Sequence, residues 1–173
     1  MRAMKTALLA ALLLVSTAAL AETAGGISWK PPISWKVDPP RQMRVATYKI
    51  APAKGDADEA ELAVFYFGKG QGGTIDDNMK RWAGQFESAK PPVMKKEKLA
   101  GFDVSRIEVK GTYGAAMGPM APASSSAPKA NYALLGAIVE APEGSVFFKL
   151  TGPQKTVESA RLALDKMLKS ITQ

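Results

Sequence analysis

Leu62 to Phe67 reads LAVFYF, an unbroken apolar run. It is too short for a helix and fits a central strand covered on both faces. The chain then turns through Gly68-Lys69-Gly70-Gln71-Gly72-Gly73 to Thr74. Thr74 is a natural helix N-cap, with Asp77 three residues on and Asp76 in the first turn. Ile75, Met79, Trp82 and Phe86 follow at helical spacing. They predict one apolar stripe on a helix of about three turns, which Pro91-Pro92 prevents from continuing.

The remaining apolar runs are also short. Met43 to Ile50 reads as a strand with Ala46, Tyr48 and Ile50 on one face. Residues 51–61 carry Pro, Gly and acids and turn the chain. Val93 to Leu99 reads as an edge strand whose lysines discourage strand addition. In Phe102 to Tyr113, Phe102 and Val104 share one face, whereas Ile107 and Val109 share the other. That parity change predicts a bulge near Ser105-Arg106 or a strand buried on both faces. Residues 114–131, rich in small residues, Pro and Ser, are expected to form a flexible loop. Tyr132 to Glu140 and Ser145 to Leu150 have hairpin spacing. A final helix opens near Pro153, with Val157, Ala160, Leu164, Leu168 and Ile171 as its buried stripe. Short links between consecutive strands favour antiparallel pairing. The expected fold is α+β: a mostly antiparallel sheet covered by two helices, in a single domain over residues 43–173.

Residues 22–42 read as an irregular lead-in. Ile27-Ser28-Trp29-Lys30 recurs as Ile33-Ser34-Trp35-Lys36, and four prolines surround the second copy. Trp29 and Trp35 are expected to anchor this segment on the core; the sharper alternative is an exposed pair that stacks on a ligand.

The first 21 residues have the order of a bacterial Sec signal peptide. Arg2 and Lys5 form a basic start, Ala7 to Val15 is apolar, and Ala19-Leu20-Ala21 is an A-x-A cleavage site. The apolar run falls short of the ~20 residues that span a bilayer. Export and cleavage after Ala21 are therefore expected, giving a periplasmic or secreted protein with no membrane span after cleavage. With Arg2 and Lys5 removed, the formal charge falls from +7 to +5. That balance favours anionic partners weakly, and export points to an envelope protein or an anionic envelope component rather than nucleic acid. Lys90, Lys95, Lys96 and Lys98 lack interleaved aromatics, so they add no nucleic-acid signal. The sequence has no His and no Cys. Disulfides, thiolate nucleophiles, Cys/His zinc sites and a Ser-His-Asp triad are excluded.

Three sets of residues could carry chemistry. Gly68-x-Gly70-x-x-Gly73 matches the dinucleotide pattern, but neither a βαβ repeat nor a distal acid supports it, and no cofactor is expected. The same loop, with Lys69, Gly70, Gly72, Gly73 and Thr74, is the candidate site for a small anion or carried ligand. Asp56, Asp58, Glu59 and Glu61 form an acidic knot without the ligand spacing of a calcium loop. Asp103, Glu108 and Glu140 are the candidates for a carboxylate-dependent hydrolase. No reactive pairing is evident in the sequence, and a non-catalytic protein is expected.

The blocks MRVATYKI, AELAVFYFGKGQGG, Asn78-x-x-Arg81-Trp82-x-x-Gln85-Phe86, VKGTY, LLGAIVE and FFKLTGP, over residues 43–171, resemble a family of uncharacterised exported bacterial proteins. The lead-in tryptophan, the antiparallel sheet and the C-terminal helix are similar to the PsbP and DcrB-like α-β-α sandwich. That resemblance implies a non-catalytic accessory or envelope protein.

Overall fold

A computed structural model describes residues 22–88, 90–114 and 127–173. The leader expected over residues 1–21 and most of the loop expected over 114–131 lie outside them.

Hydrophobic alternation and short links produce one eight-stranded sheet. Its members are β3 (Lys36–Val37), β4 (Ala46–Ile50), β5 (Ala60–Tyr66), β6 (Phe86–Glu87), β7 (Val93–Leu99), β8 (Phe102–Tyr113), β9 (Lys129–Val139) and β10 (Val146–Pro153). The order is β3-β4-β5-β10-β9-β8, and β6 and β7 both pair with the outer edge of β8. Every pairing is antiparallel. Helix α1 (Ile75–Ala83) packs on β8 and β9, and helix α2 (Gln154–Lys169) packs on β9 and β10. The α+β expectation holds, with a helix on each face of the sheet.

Two apolar clusters follow from this layering. Leu62, Val64, Leu135, Ala137, Phe148 and Leu150 turn towards Val157, Ala160, Leu164 and Leu168 of α2. Leu134, Ile138, Phe147, Ile107 and Val109 turn towards Met79 and Trp82 of α1. Period-two alternation therefore sends successive residues of β5, β9 and β10 into opposite cores, which explains the apolar stretches in the middle of those strands.

The lead-in is more regular than expected. Strands β1 (Glu22–Ala24) and β2 (Ile27–Trp29) form a hairpin around Gly25-Gly26, and β3 joins the main sheet. Elsewhere the elements shift at their ends. Met43 has a φ of 63°, so the extended run starts at Ala46. Phe86 leaves the helical stripe because α1 ends at Ala83 with Gly84 as its cap; Phe86 still reaches the same core from β6, opposite Tyr113. Strand β9 starts at Lys129, three residues before Tyr132, because Lys129 pairs with Tyr113 and shortens the expected loop. The register of β8 runs unbroken through Ser105-Arg106 and shifts only between Gly111 and Tyr113. Val104 faces one core and Ile107 the other because β8 is covered on both sides.

Among the described residues, no helix is long and apolar enough to cross a membrane.

Candidate functional site

The cross-strand register places Thr47, Ala63, Lys149, Gly136 and Ile107 in one row across β4, β5, β10, β9 and β8. Two small residues therefore flank a lysine in the middle of the sheet. On one side, Gly136 admits the indole of Trp82: a Cβ there would lie 2.5 Å from Trp82 Cζ3. On the other side, Ala63 lowers the floor beside Lys149. The result is a cleft of about 210 Å³ between α1 and the β5–β10 half of the sheet. Phe65, Phe67, Phe147 and Trp82 supply its apolar wall, and Asn78, Arg81, Gln85 and Lys149 supply its polar groups.

The electrostatics of the cleft are cationic. Lys149 Nζ donates to Gln85 Oε1 at 2.6 Å and sits 5.9 Å from the Tyr113 ring centre. Burial pushes the Lys149 ammonium down to about 8, and repulsion from Arg44 and Arg81 adds to this against the pull of Glu61. Arg44 lies 5.6 Å from the Phe65 ring centre. Its guanidinium and the Lys49 amine each hold Glu61 at 2.7 Å. Burial would raise Glu61, but hydrogen bonds from Lys49 and Arg44 outweigh it and keep the carboxyl below its usual value. Arg81 is exposed at the mouth and donates to Asn78 Oδ1. Among the described residues, Thr151 Oγ1 is the one buried side-chain polar atom without a partner. It lies two residues from Lys149 on the same face of β10, in the row of Glu61.

The glycine loop is built differently. Gly68, Gly70, Gly72 and Gly73 all have positive φ, from 71° to 101°. Asn78 Nδ2 donates to the carbonyls of Gly72 and Thr74, both at 2.8 Å. Thr74 Oγ1 accepts from the Asp77 N–H at 3.1 Å and donates to the Asp77 carboxylate at 2.7 Å. Thr74 thus caps the Asp77 N–H at the helix start, and Asp76 and Asp77 bring negative charge to it. Lys69 and Gly70 are exposed beside this turn. The cations that gather round a cavity do so on the sheet, not at the loop.

Trp29 and Trp35 are both core residues, 1% and 7% exposed. The Trp29 indole N–H donates to the Tyr48 hydroxyl at 3.0 Å, and its ring meets Phe148 edge-on. They anchor the lead-in, and the ligand-stacking alternative is corrected because burial leaves no ring face exposed for a ligand.

The acidic knot is dispersed. Asp56 accepts from Thr156, Asp58 from Lys129 and Tyr132, and Glu61 from Arg44 and Lys49. Among the described residues, no three metal-ligating side chains cluster. The hydrolase candidates are likewise apart or solvated. Glu108 is tied to Lys110 and Arg161; burial would raise it, but those hydrogen bonds hold it below its usual value. Asp103 and Glu140 line one shallow hollow of about 290 Å³, yet both are exposed and Asp103 pairs with Lys98 at 2.9 Å. A carboxyl acting as general acid needs burial to raise it.

Lys149 and Gln85 are the site residues that the sequence reading missed. The available signal was a lone lysine in the apolar run VFFKL, at a position whose neighbours are covered on both faces.

No family model matches the chain, and no curated protein matches it in sequence. The resemblance drawn from sequence blocks therefore gains no support. The fold is similar to the solution structure of cyanobacterial PsbP (CyanoP) from Synechocystis sp. PCC 6803: TM-score 0.56, 12% identity, 95% of this chain and 98% of that one. A protein of unknown function from Pseudomonas aeruginosa, PA94, is similar at TM-score 0.46 and 12% identity, over 89% of this chain and 96% of that one. The PsbP-like fold expectation is met.

Proposed function

We propose that this chain is an exported, non-catalytic binding protein of the cell envelope, and that its binding site is the cationic cleft over β5 and β10. The observation that carries this reading is Lys149. A lysine in the interior of a sheet is costly, and its ammonium has three donors, of which Gln85 takes one. An anionic group delivered to the cleft would satisfy the others. Support for export comes from the leader-like order of residues 1–21, and support for a non-catalytic role from the absence of His and Cys. The accessory role implied by the PsbP-like resemblance agrees with both.

Fractionation of the native host, with N-terminal sequencing, tests this proposal. Mature protein beginning at Glu22 in the periplasm or medium is expected. A native mass spectrum of that material should show retained mass or a co-purifying partner. Protein found in the cytoplasm with an intact N-terminus overturns the reading.

A further inference from the structure

The ligand class can be narrowed from the charges around the cleft. Arg44 and Lys49 are both spent on Glu61, with contacts of 2.7 Å each. Lys149 is the deep cation, and among the described residues it has no carboxylate within ion-pair distance and one amide partner, Gln85. Arg81 adds a second positive charge at the mouth. Glu61 pulls on Lys149 less than Arg44 and Arg81 push on it, so the field in the cleft is positive. Asn78 spends its amide donors on the Gly72 and Thr74 carbonyls, and the donors that are left suit the two oxygens of a carboxylate better than the four of phosphate. The rest of the wall is aromatic, and stacked Phe65 and Phe67 lie 6.1 Å apart. Water alone would leave that wall poorly covered, whereas an apolar body would cover it. The volume of about 210 Å³ admits a molecule of small-metabolite size.

We infer that the cleft binds a small monocarboxylic acid with an aromatic or compact apolar body. Its carboxylate accepts from Lys149 Nζ, and its body lies against Phe65, Phe67 and Trp82. This deepens the proposed function and rests on its reading of the chain as a binding protein. Gln85 holds the amine in place when the ligand is away, and Arg81 draws the anion to the mouth.

Calorimetric titration of the purified mature chain with three probes tests the inference. Phenylacetate has both charge and ring, phenylacetamide the ring without the charge, and inorganic phosphate the charge without the ring. At pH 7, phenylacetate should bind at least tenfold more tightly than either of the others. Lys149→Met, checked for folding by circular dichroism, should lose at least tenfold in phenylacetate affinity, and Lys69→Ala should lose none. The wild type provides a measurement independent of any variant. Its phenylacetate affinity should fall at least fivefold between pH 7 and pH 9.5 as Lys149 loses its proton. Of the charged groups facing Lys149, Arg44, Lys49 and Arg81 are the neighbouring cations, and Glu61, which burial would raise but hydrogen bonds from Lys49 and Arg44 hold below its usual value, is ionised at both pH values. Tyr113 is held above its usual value by burial. No phenylacetate binding, equal binding of phenylacetamide or phosphate, affinity retained in Lys149→Met, or affinity independent of pH would each overturn the inference. None of these bears on where the protein is exported or what co-purifies with it, so a failure here is separable from a failure of the proposed function.

Discussion

The Asp56 carboxylate accepts two hydrogen bonds from Thr156, one from the backbone N–H at 2.9 Å and one from the hydroxyl at 2.7 Å, across 100 residues of sequence. Helix α2 begins after Pro153, which offers no side-chain cap, and its first turn contains no acid. Asp56 supplies from the β4–β5 connection what the helix lacks locally. The Thr156 hydroxyl in turn accepts from the Ala53 N–H at 2.9 Å, so the turn and the helix start hold each other. Asp56→Ala should cost about 1–2 kcal/mol in denaturant unfolding, and Asp56→Asn, which keeps an acceptor, clearly less. Equal losses would show that the acceptor is not what matters.

The glycine loop should respond unevenly to alanine. Gly70 has a φ of 71° and open space round its missing Cβ. Gly72 has a φ of 90°, and a Cβ there would lie 2.8 Å from Phe67 Cδ2 and 3.1 Å from Phe147 Cε2. Gly70→Ala should therefore cost about 1 kcal/mol, from backbone strain alone, and Gly72→Ala distinctly more. Chemical denaturation of the two variants side by side checks the order.

Trp82 packs α1 on the sheet, 5% exposed and seated over Gly136. Trp82→Ala should cost roughly 3–5 kcal/mol through lost burial and a cavity. Urea unfolding measures it, and a loss under 1 kcal/mol would show that α1 is held by something else.

Lys149 predicts an unusual pH dependence of stability. Its folded value of about 8 lies below that of an unfolded lysine, so the unfolded chain binds the proton more tightly. The contribution is fully present above the unfolded value of ~10.4 and is lost as pH falls through about 8. Stability should rise from pH 8 towards pH 10, by an amount on the order of 2–3 kcal/mol at most. Above that, Tyr48, whose burial pushes it up to about 12, reverses the trend because the unfolded chain ionises first. Lys149→Met should abolish the rise and be more stable than wild type at pH 7, as measured by thermal melts across pH 7–10.

The pattern of apolar runs made the strands and layers legible. LAVFYF can be continuously apolar only if both faces are covered, and both are. The Thr74 cap was readable because its partner Asp77 is local. The lead-in hairpin was hidden by its length, three residues a strand, too short for alternation to register. The cleft was hidden for a different reason. Lys149, Arg81 and Glu61 come from three separate elements, Gln85 and Arg44 from the segments beside them, and only the strand register and the packing of α1 on the sheet bring them together. The sequence reading favoured the loop because its glycines are contiguous, and contiguity carries no information about which distant side chains converge.

The fit of Trp82 over Gly136 also limits how such a chain can diverge. A hydrogen at position 136 and a large ring at position 82 occupy one shared space, with the Ile107 methyl 2.7 Å from where a Cβ would stand. Neither position is free to drift alone. Related sequences should trade bulk between the two, a small residue on the helix wherever the strand carries a side chain, so the pair should covary even where overall identity has fallen too low to align with confidence.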